Sequence, residues 1–137
     1  MDRRQDEEVD ECWCVFDVEW PQNHPYLDEA VRLAARHGIR LAISNPCFEL
    51  WLILHFREHN AFLTTSDAER QSRLLDGRPG KRIDGGRYVE RRGDAAERAI
   101  ALDRRHASNQ TSFPDNNPSS TFHELLAAIE PVRTVDL

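Results

Sequence analysis

Long apolar runs are missing from this chain of 137 residues. Its longest uncharged apolar stretch, Leu50 to Phe56, falls far short of the roughly 20 residues that span a bilayer, so no transmembrane segment and no membrane partner are expected. The N-terminal MDRRQDEEVDE carries acids where a secretory signal needs an apolar segment, which argues against export by that route. Cysteine is scarce as well. The three at positions 12, 14 and 47 are an odd number without a CxxC pair, which excludes a disulfide framework and a zinc knuckle and predicts reduced, buried thiols in a cytoplasmic protein. Basic charge is in deficit: 18 Lys and Arg against 24 Asp and Glu give a formal net charge of −6. A protein that coats nucleic acid by bulk electrostatics is thereby excluded, and only a local basic face remains possible. The glycine-rich segment Gly77 to Gly86 has neither a GxGxxG nor a P-loop pattern, so it predicts no nucleotide site, and no internal repeat occurs.

What is present suffices for one domain around one modest core, with 39% hydrophobic and 31% charged residues. Residues 1–11, with six acids against two arginines, hold too little apolar content to pack and are predicted to be a disordered lead-in to a single domain over 12–137. Cys12 to Phe16 is a continuous apolar run closing on Asp17, the pattern of a strand buried on both faces of a parallel sheet. From Tyr26 to His37, Leu27, Ala30, Val31, Ala34 and Ala35 fall at helical spacing before Gly38, and Ile39 to Ile43 follows as a second strand. Strand, helix and strand within about 30 residues make a βαβ unit with a right-handed crossover and parallel strands. Ser44-Asn45-Pro46 then opens a central, largely buried helix over Cys47 to Phe56. Capping boxes at Ser66-x-x-Glu69 and Thr121-x-x-Glu124 predict helices over about 66–76 and 121–130. A further helix over 87–106 and a polar loop over 107–119 complete an α/β fold, a Rossmann-like parallel βαβ core followed by a mainly helical C-terminal half.

The residues with chemistry to offer concentrate at one sheet edge. Asp17 and Glu19 are two apart as the first strand runs out, which sends both side chains to the same side of its carboxyl end. Ligands of open α/β sheets bind beyond that end, and the second strand delivers Ser44, Asn45 and Glu49 there. Oxygen-only ligation of this kind suits Mg²⁺ or Mn²⁺. The competing reading makes Asp17 and Glu19 solvated caps and Glu49 a first-turn acid favoured by the helix dipole, although the apolar neighbours of Glu49 would leave a costly unpaired carboxylate. From Asp76 to His106 nine Arg or Lys stand against six Asp or Glu, a local excess of three. Arg78, Lys81, Arg82 and Arg87 are its candidate phosphate contacts, against the alternative of an ordinary solvated face. His55-Phe-Arg-Glu58-His59 matches a zinc-protease pattern, but with no third ligand signalled it reads as a helix-end pair.

Three segments carry a family resemblance: WCVFDVE at 13–19, LAISNPCFELWLILHF at 41–56 and NPSST at 117–121. In order and spacing they resemble the RloB-like proteins, over roughly Glu11 to Glu130. The resemblance implies a toprim-type domain, the metal-binding α/β fold shared by primases, topoisomerases and several nucleases, in a bacterial restriction or phage-defence setting and often beside an ATPase. Under it, Asp17 and Glu19 stand where a toprim domain has its metal-binding Asp-x-Asp pair, with a longer Glu as the second member. Glu49 aligns with the glutamate of the family's SNPxFE segment and becomes the catalytic candidate. A toprim domain also begins with a strand and a glycine-containing turn bearing a general acid/base glutamate. Nothing upstream of Cys12 can form that strand, so the chain is expected to be N-terminally incomplete. The implied function is Mg²⁺-dependent (or Mn²⁺-dependent) cleavage of nucleic acid once the missing part is supplied. The alternative is a catalytically inactive module of the same fold that binds nucleic acid or a partner protein.

Overall fold

The computed structural model describes residues 11–79 and 82–130, so the lead-in expected over residues 1–11 lies, apart from Glu11, outside the described residues. Strand β1 (Trp13–Asp17), helix α1 (Leu27–Arg36) and strand β2 (Arg40–Asn45) form the expected βαβ unit. β1 and β2 run parallel, in register from Trp13 beside Arg40 to Asp17 beside Ser44. Their pairing outlasts β1: the Val18 N–H donates to the Ser44 carbonyl at 3.0 Å and the Glu19 N–H to the Pro46 carbonyl at 2.7 Å. α1 buries only Leu27 and Ala34, with Asp28 and Glu29 in its first turn and Arg36 in its last, where each sign of charge favours the helix dipole. Gly38, at φ +68°, supplies the left-handed stop.

The sheet is mixed and three-stranded, which corrects the all-parallel expectation. A two-residue strand, β3 (Ser119–Ser120), pairs antiparallel with the far side of β2, Ser44 facing Ser120 and Asn45 facing Ser119. So short a strand has no periodicity to read. It exists because the buried Ser44 and Ser120 hydroxyls bond each other at 2.8 Å. Thr121 and Ile43 add reciprocal bonds: the Thr121 N–H donates to the Ile43 carbonyl and the Ile43 N–H to the Thr121 hydroxyl, both at 2.9 Å. The sheet order β1-β2-β3 leaves β1 at an edge. Nor is β1 buried on both faces: Val15 is 50% exposed, and Cys12 and Cys14 are exposed free thiols. Only Cys47 meets the expectation of a buried thiol.

The apolar core lies among the helices. In α2 (Phe48–Leu54) all five residues from Leu50 to Leu54 are buried. Around them close Leu63, Ala68 of α3 (Thr65–Asp76), Tyr88 of α4 (Gly85–Val89), and Ala95, Ala99 and Leu102 of α5 (Arg92–Ser108). Small alanines on α3 and α5 let those helices approach α2 closely. α6 (Phe122–Ile129) seats the Phe122 ring 5.1 Å from Phe48 and 5.8 Å from Trp51. The single helix expected over 87–106 is two, broken at Arg91, whose φ of −103° and ψ of 4° leave the helical region. The Arg92 guanidinium donates to the Val89 carbonyl at 2.6 Å, satisfying one orphan acceptor at the end of α4. Caps shift too. Thr64, rather than Ser66, caps α3 by accepting from the Asp67 N–H at 3.1 Å, while Thr121 gives its hydroxyl to Ile43 and leaves α6 without a side-chain cap. Among the described residues no helix is long and apolar enough to cross a membrane.

Candidate functional site

Asp17 is the last residue of β1, and the backbone N–H of Phe48, at the start of α2, favours its charged form. Glu19 does not continue the strand's alternation. Its φ of +74° is a conformation that non-glycine residues rarely adopt, and the surroundings enforce it. Its N–H is bound to Pro46, its carbonyl accepts from the Asn23 amide at 2.7 Å, and its carboxylate accepts from the Thr65 hydroxyl at 2.9 Å. Thr65, the first residue of α3, also clasps Trp20: its hydroxyl accepts from the Trp20 N–H at 3.0 Å and its own N–H donates to the Trp20 carbonyl at 2.9 Å. Glu49 lies in the first turn of α2, and beside it the Cys47 thiol donates to the Thr65 carbonyl at 3.9 Å.

Charge crowds this edge. Burial first, then the Glu19 and Glu49 carboxylates and finally Glu69, raise Asp17 from 3.8 to about 6, partly offset by the Phe48 N–H. Burial and the neighbouring Glu49 also push the Cys47 thiol upward, so it stays protonated and is no thiolate ligand or nucleophile. The charges of Glu19, Glu49 and Glu69 thus all bear on Asp17, and Glu69 is the one that sequence reasoning missed. Glu69 follows Thr65 by four residues and so shares its helix face, but nothing in the sequence says which face of α3 turns toward β1.

Among the described residues no group of three or more His, Cys, Asp or Glu side chains is spaced to hold a metal ion. The donors present suit an ion that takes one or two carboxylates and keeps its waters, as Mg²⁺ does, and the crowded negative charge is what a dication would relieve.

The basic candidates lie elsewhere. Arg78 forms an ion pair with Asp76, the two side chains being 8% and 4% exposed, and donates to the Ser72 hydroxyl at 2.9 Å. Gly77, at φ +74°, ends α3 and turns the chain so that Arg78 folds back onto Asp76. Burial opposes the charge of Asp76, yet the Tyr88 hydroxyl and the backbone and guanidinium of Arg78 hold its carboxyl below the usual range. Arg78 is therefore a structural side chain here, which corrects its expected place at an exposed basic face. Lys81 lies outside the described residues, and Arg82 is exposed. Arg87 is exposed, donates to the Asp76 carbonyl at 2.7 Å and stands 5.5 Å over the Phe56 ring. His55 is held by its neighbours. The His55 Nδ1 is bonded to the Trp51 carbonyl at 2.8 Å, its ring packs against Trp51 and Tyr88, and burial lowers its pKa.

A protein-family model described as RloB-like protein matches residues 1–129. The chain belongs to the RloB-like protein family. No curated protein and no solved structure matches it. Two segments that carry the RloB-like resemblance, SNPCFEL and NPSST, meet each other across β2 and β3, and their asparagines do structural work. The Asn45 amide donates to the Pro114 carbonyl at 2.9 Å and to Asn116 Oδ1 at 3.2 Å. The Asn117 side chain bonds both main-chain groups of Leu63, at 3.0 and 2.8 Å.

Proposed function

We propose that this RloB-like protein has a toprim-like core, binds Mg²⁺ or Mn²⁺ through Asp17 and Glu19, and cleaves phosphodiester bonds of nucleic acid in a bacterial restriction or phage-defence setting. The observation that supports this reading is that the Glu19 and Glu49 charges both bear on Asp17 at the carboxyl end of a strand paired in parallel, beside the start of α2. That edge of a βαβ unit is where ligands of open α/β sheets bind. Family membership supports the association with restriction or defence. When bound, the dication would supply Lewis-acid charge at a phosphate and lower the pKa of a coordinated water. The chain's own side chains do the rest. Thr65 orients the Glu19 carboxylate, the Phe48 N–H favours the charged form of Asp17, and Glu49 is the carboxylate available to hold a proton. The reading requires nucleic acid as a partner, with exposed Arg82 and Arg87 as cations on the same chain, and allows an ATPase of the same locus as a second partner.

Calorimetric titration tests it. Mn²⁺ should bind weakly, and Asp17→Asn combined with Glu19→Gln should abolish both that binding and any Mg²⁺-dependent cleavage of a labelled oligonucleotide. Binding unchanged in the double variant would sink the assignment of these two residues. Oligonucleotide binding by a chain that takes no Mn²⁺ would favour the inactive binding module instead.

A further inference from the structure

The chemistry above leaves one neighbouring feature unused, a group of rings held in water. Residues 20–26, WPQNHPY, follow Glu19 directly, and in them Trp20 is 40% and Tyr26 65% exposed. Phe62, from the loop before α3, is 56% exposed. Aromatic side chains gain more than most from burial, so several exposed together at one edge call for a reason. Trp20 and Phe62 meet edge to face, with centroids 5.3 Å apart and planes at 89°. Neither ring hangs on slack chain. Trp20 is clasped by Thr65 through both its N–H and its carbonyl, and Phe62 precedes the buried Leu63, whose main chain is bonded twice to Asn117. The same Thr65 hydroxyl that receives the Trp20 N–H gives its proton to the Glu19 carboxylate, so the Trp20 main chain and that carboxylate are held by one residue.

We infer that Trp20 and Phe62 form a stacking platform for an unpaired nucleobase, which makes single-stranded nucleic acid the substrate class of this edge. The inference rests on the proposed reading that the adjacent carboxylates take a dication. Stacking on an aromatic ring needs an exposed base face, which a strand offers and a duplex interior withholds. A base held on Trp20 brings its own phosphate toward Asp17 and Glu19. Those carboxylates, with Glu49 and Glu69, repel phosphate until a cation neutralises them, so binding of an oligonucleotide should depend on the dication while stacking of an uncharged nucleoside should not. A surface built for an apolar protein partner would show no such split.

The test uses the full chain, with anisotropy of a labelled single-stranded oligonucleotide in Mn²⁺ as readout. Trp20→Ala and Phe62→Ala should each weaken binding by about tenfold, Trp20→Phe should restore most of it, and removing Mn²⁺ with a chelator should weaken it by at least as much. A blunt duplex of the same sequence should bind no better than the strand binds to Trp20→Ala. Calorimetric Mn²⁺ affinity should be unchanged in Phe62→Ala, which separates loss of the platform from loss of the metal site. If Mn²⁺ fails to bind the chain but an uncharged nucleoside still shifts the Trp20 indole resonance, the metal reading fails and the platform stands. Equal affinity for duplex and single strand, or unchanged affinity in both alanine variants, would overturn the platform. So would Phe62→Ala dissociating a self-associated form without touching oligonucleotide binding.

Discussion

Two apolar runs look alike in this sequence and have opposite fates. Cys12 to Phe16 becomes an edge strand with Val15 half-exposed and two thiols in water, whereas Leu50 to Leu54 is buried on every side. The difference lies in the neighbours. α2 is enclosed by α3, α5 and the sheet, while the adjacent Cys14 and Val15, on opposite faces of β1, both stay exposed. Apolar composition sets what a segment gains from burial; the rest of the chain decides whether burial is available. Asp17 closes the edge strand, so the proposed site and the apolar core lie in different regions.

The largest expected effect sharpens that division. Trp51→Ala, at a side chain only 2% exposed, should lower stability in a urea melt by about 3–5 kcal/mol, while Val15→Ala should stay within about 0.5 kcal/mol. Similar losses at both positions would erase the contrast. Next comes the buried ion pair. Asp76→Ala strands the Arg78 guanidinium and removes the acceptor of the Tyr88 hydroxyl, and should cost about 3 kcal/mol at neutral pH.

Asp76 and Asp17 also predict opposite responses to pH. The Asp76 carboxyl is held below its ordinary value, so its contribution is present at neutral pH and is lost as pH falls through the folded value. For Asp17, raised from 3.8 to about 6, the folded chain binds the proton more tightly than the unfolded one, so stability falls as pH rises through that window. Asp17→Asn should abolish that fall and stabilise the protein by about 1 kcal/mol at neutral pH. A melt series from acid to neutral pH in which the variant keeps the wild-type slope would assign the slope to another group. The smallest effect concerns the start of α3: Thr64→Ala should cost about 1 kcal/mol and Ser66→Ala under about 0.5, the reverse of what the capping-box pattern alone implies.

Much of the fold was legible because periodicity and punctuation agree with it. The βαβ order, α1 ending before Gly38, the buried α2 and the positions of α3 and α6 all follow from residue spacing. What escaped depends on tertiary bonds. β3 is two serines held by Ser44 and Thr121, and Tyr88, Ala95, Ala99 and Leu102 keep one helical stripe across the break at Arg91. Asp17, Glu19 and Glu49 were readable as candidates from strand ends and motif. The left-handed turn at Glu19, its clasp to Thr65 and the approach of Glu69 were not, since they are set by how α3 docks. Arg78 shows the converse error: a net count of charge along a segment cannot tell a surface cation from one turned inward by a glycine.

The central claim is that the end of β1 concentrates carboxylate charge for a dication. The most direct measurement is a carbon-13 NMR titration of the Asp17 carboxyl with and without Mg²⁺. The account predicts a midpoint near 6 in the absence of the ion, moving clearly lower when Mg²⁺ is added. A midpoint near 3.8 that Mg²⁺ leaves in place would contradict it.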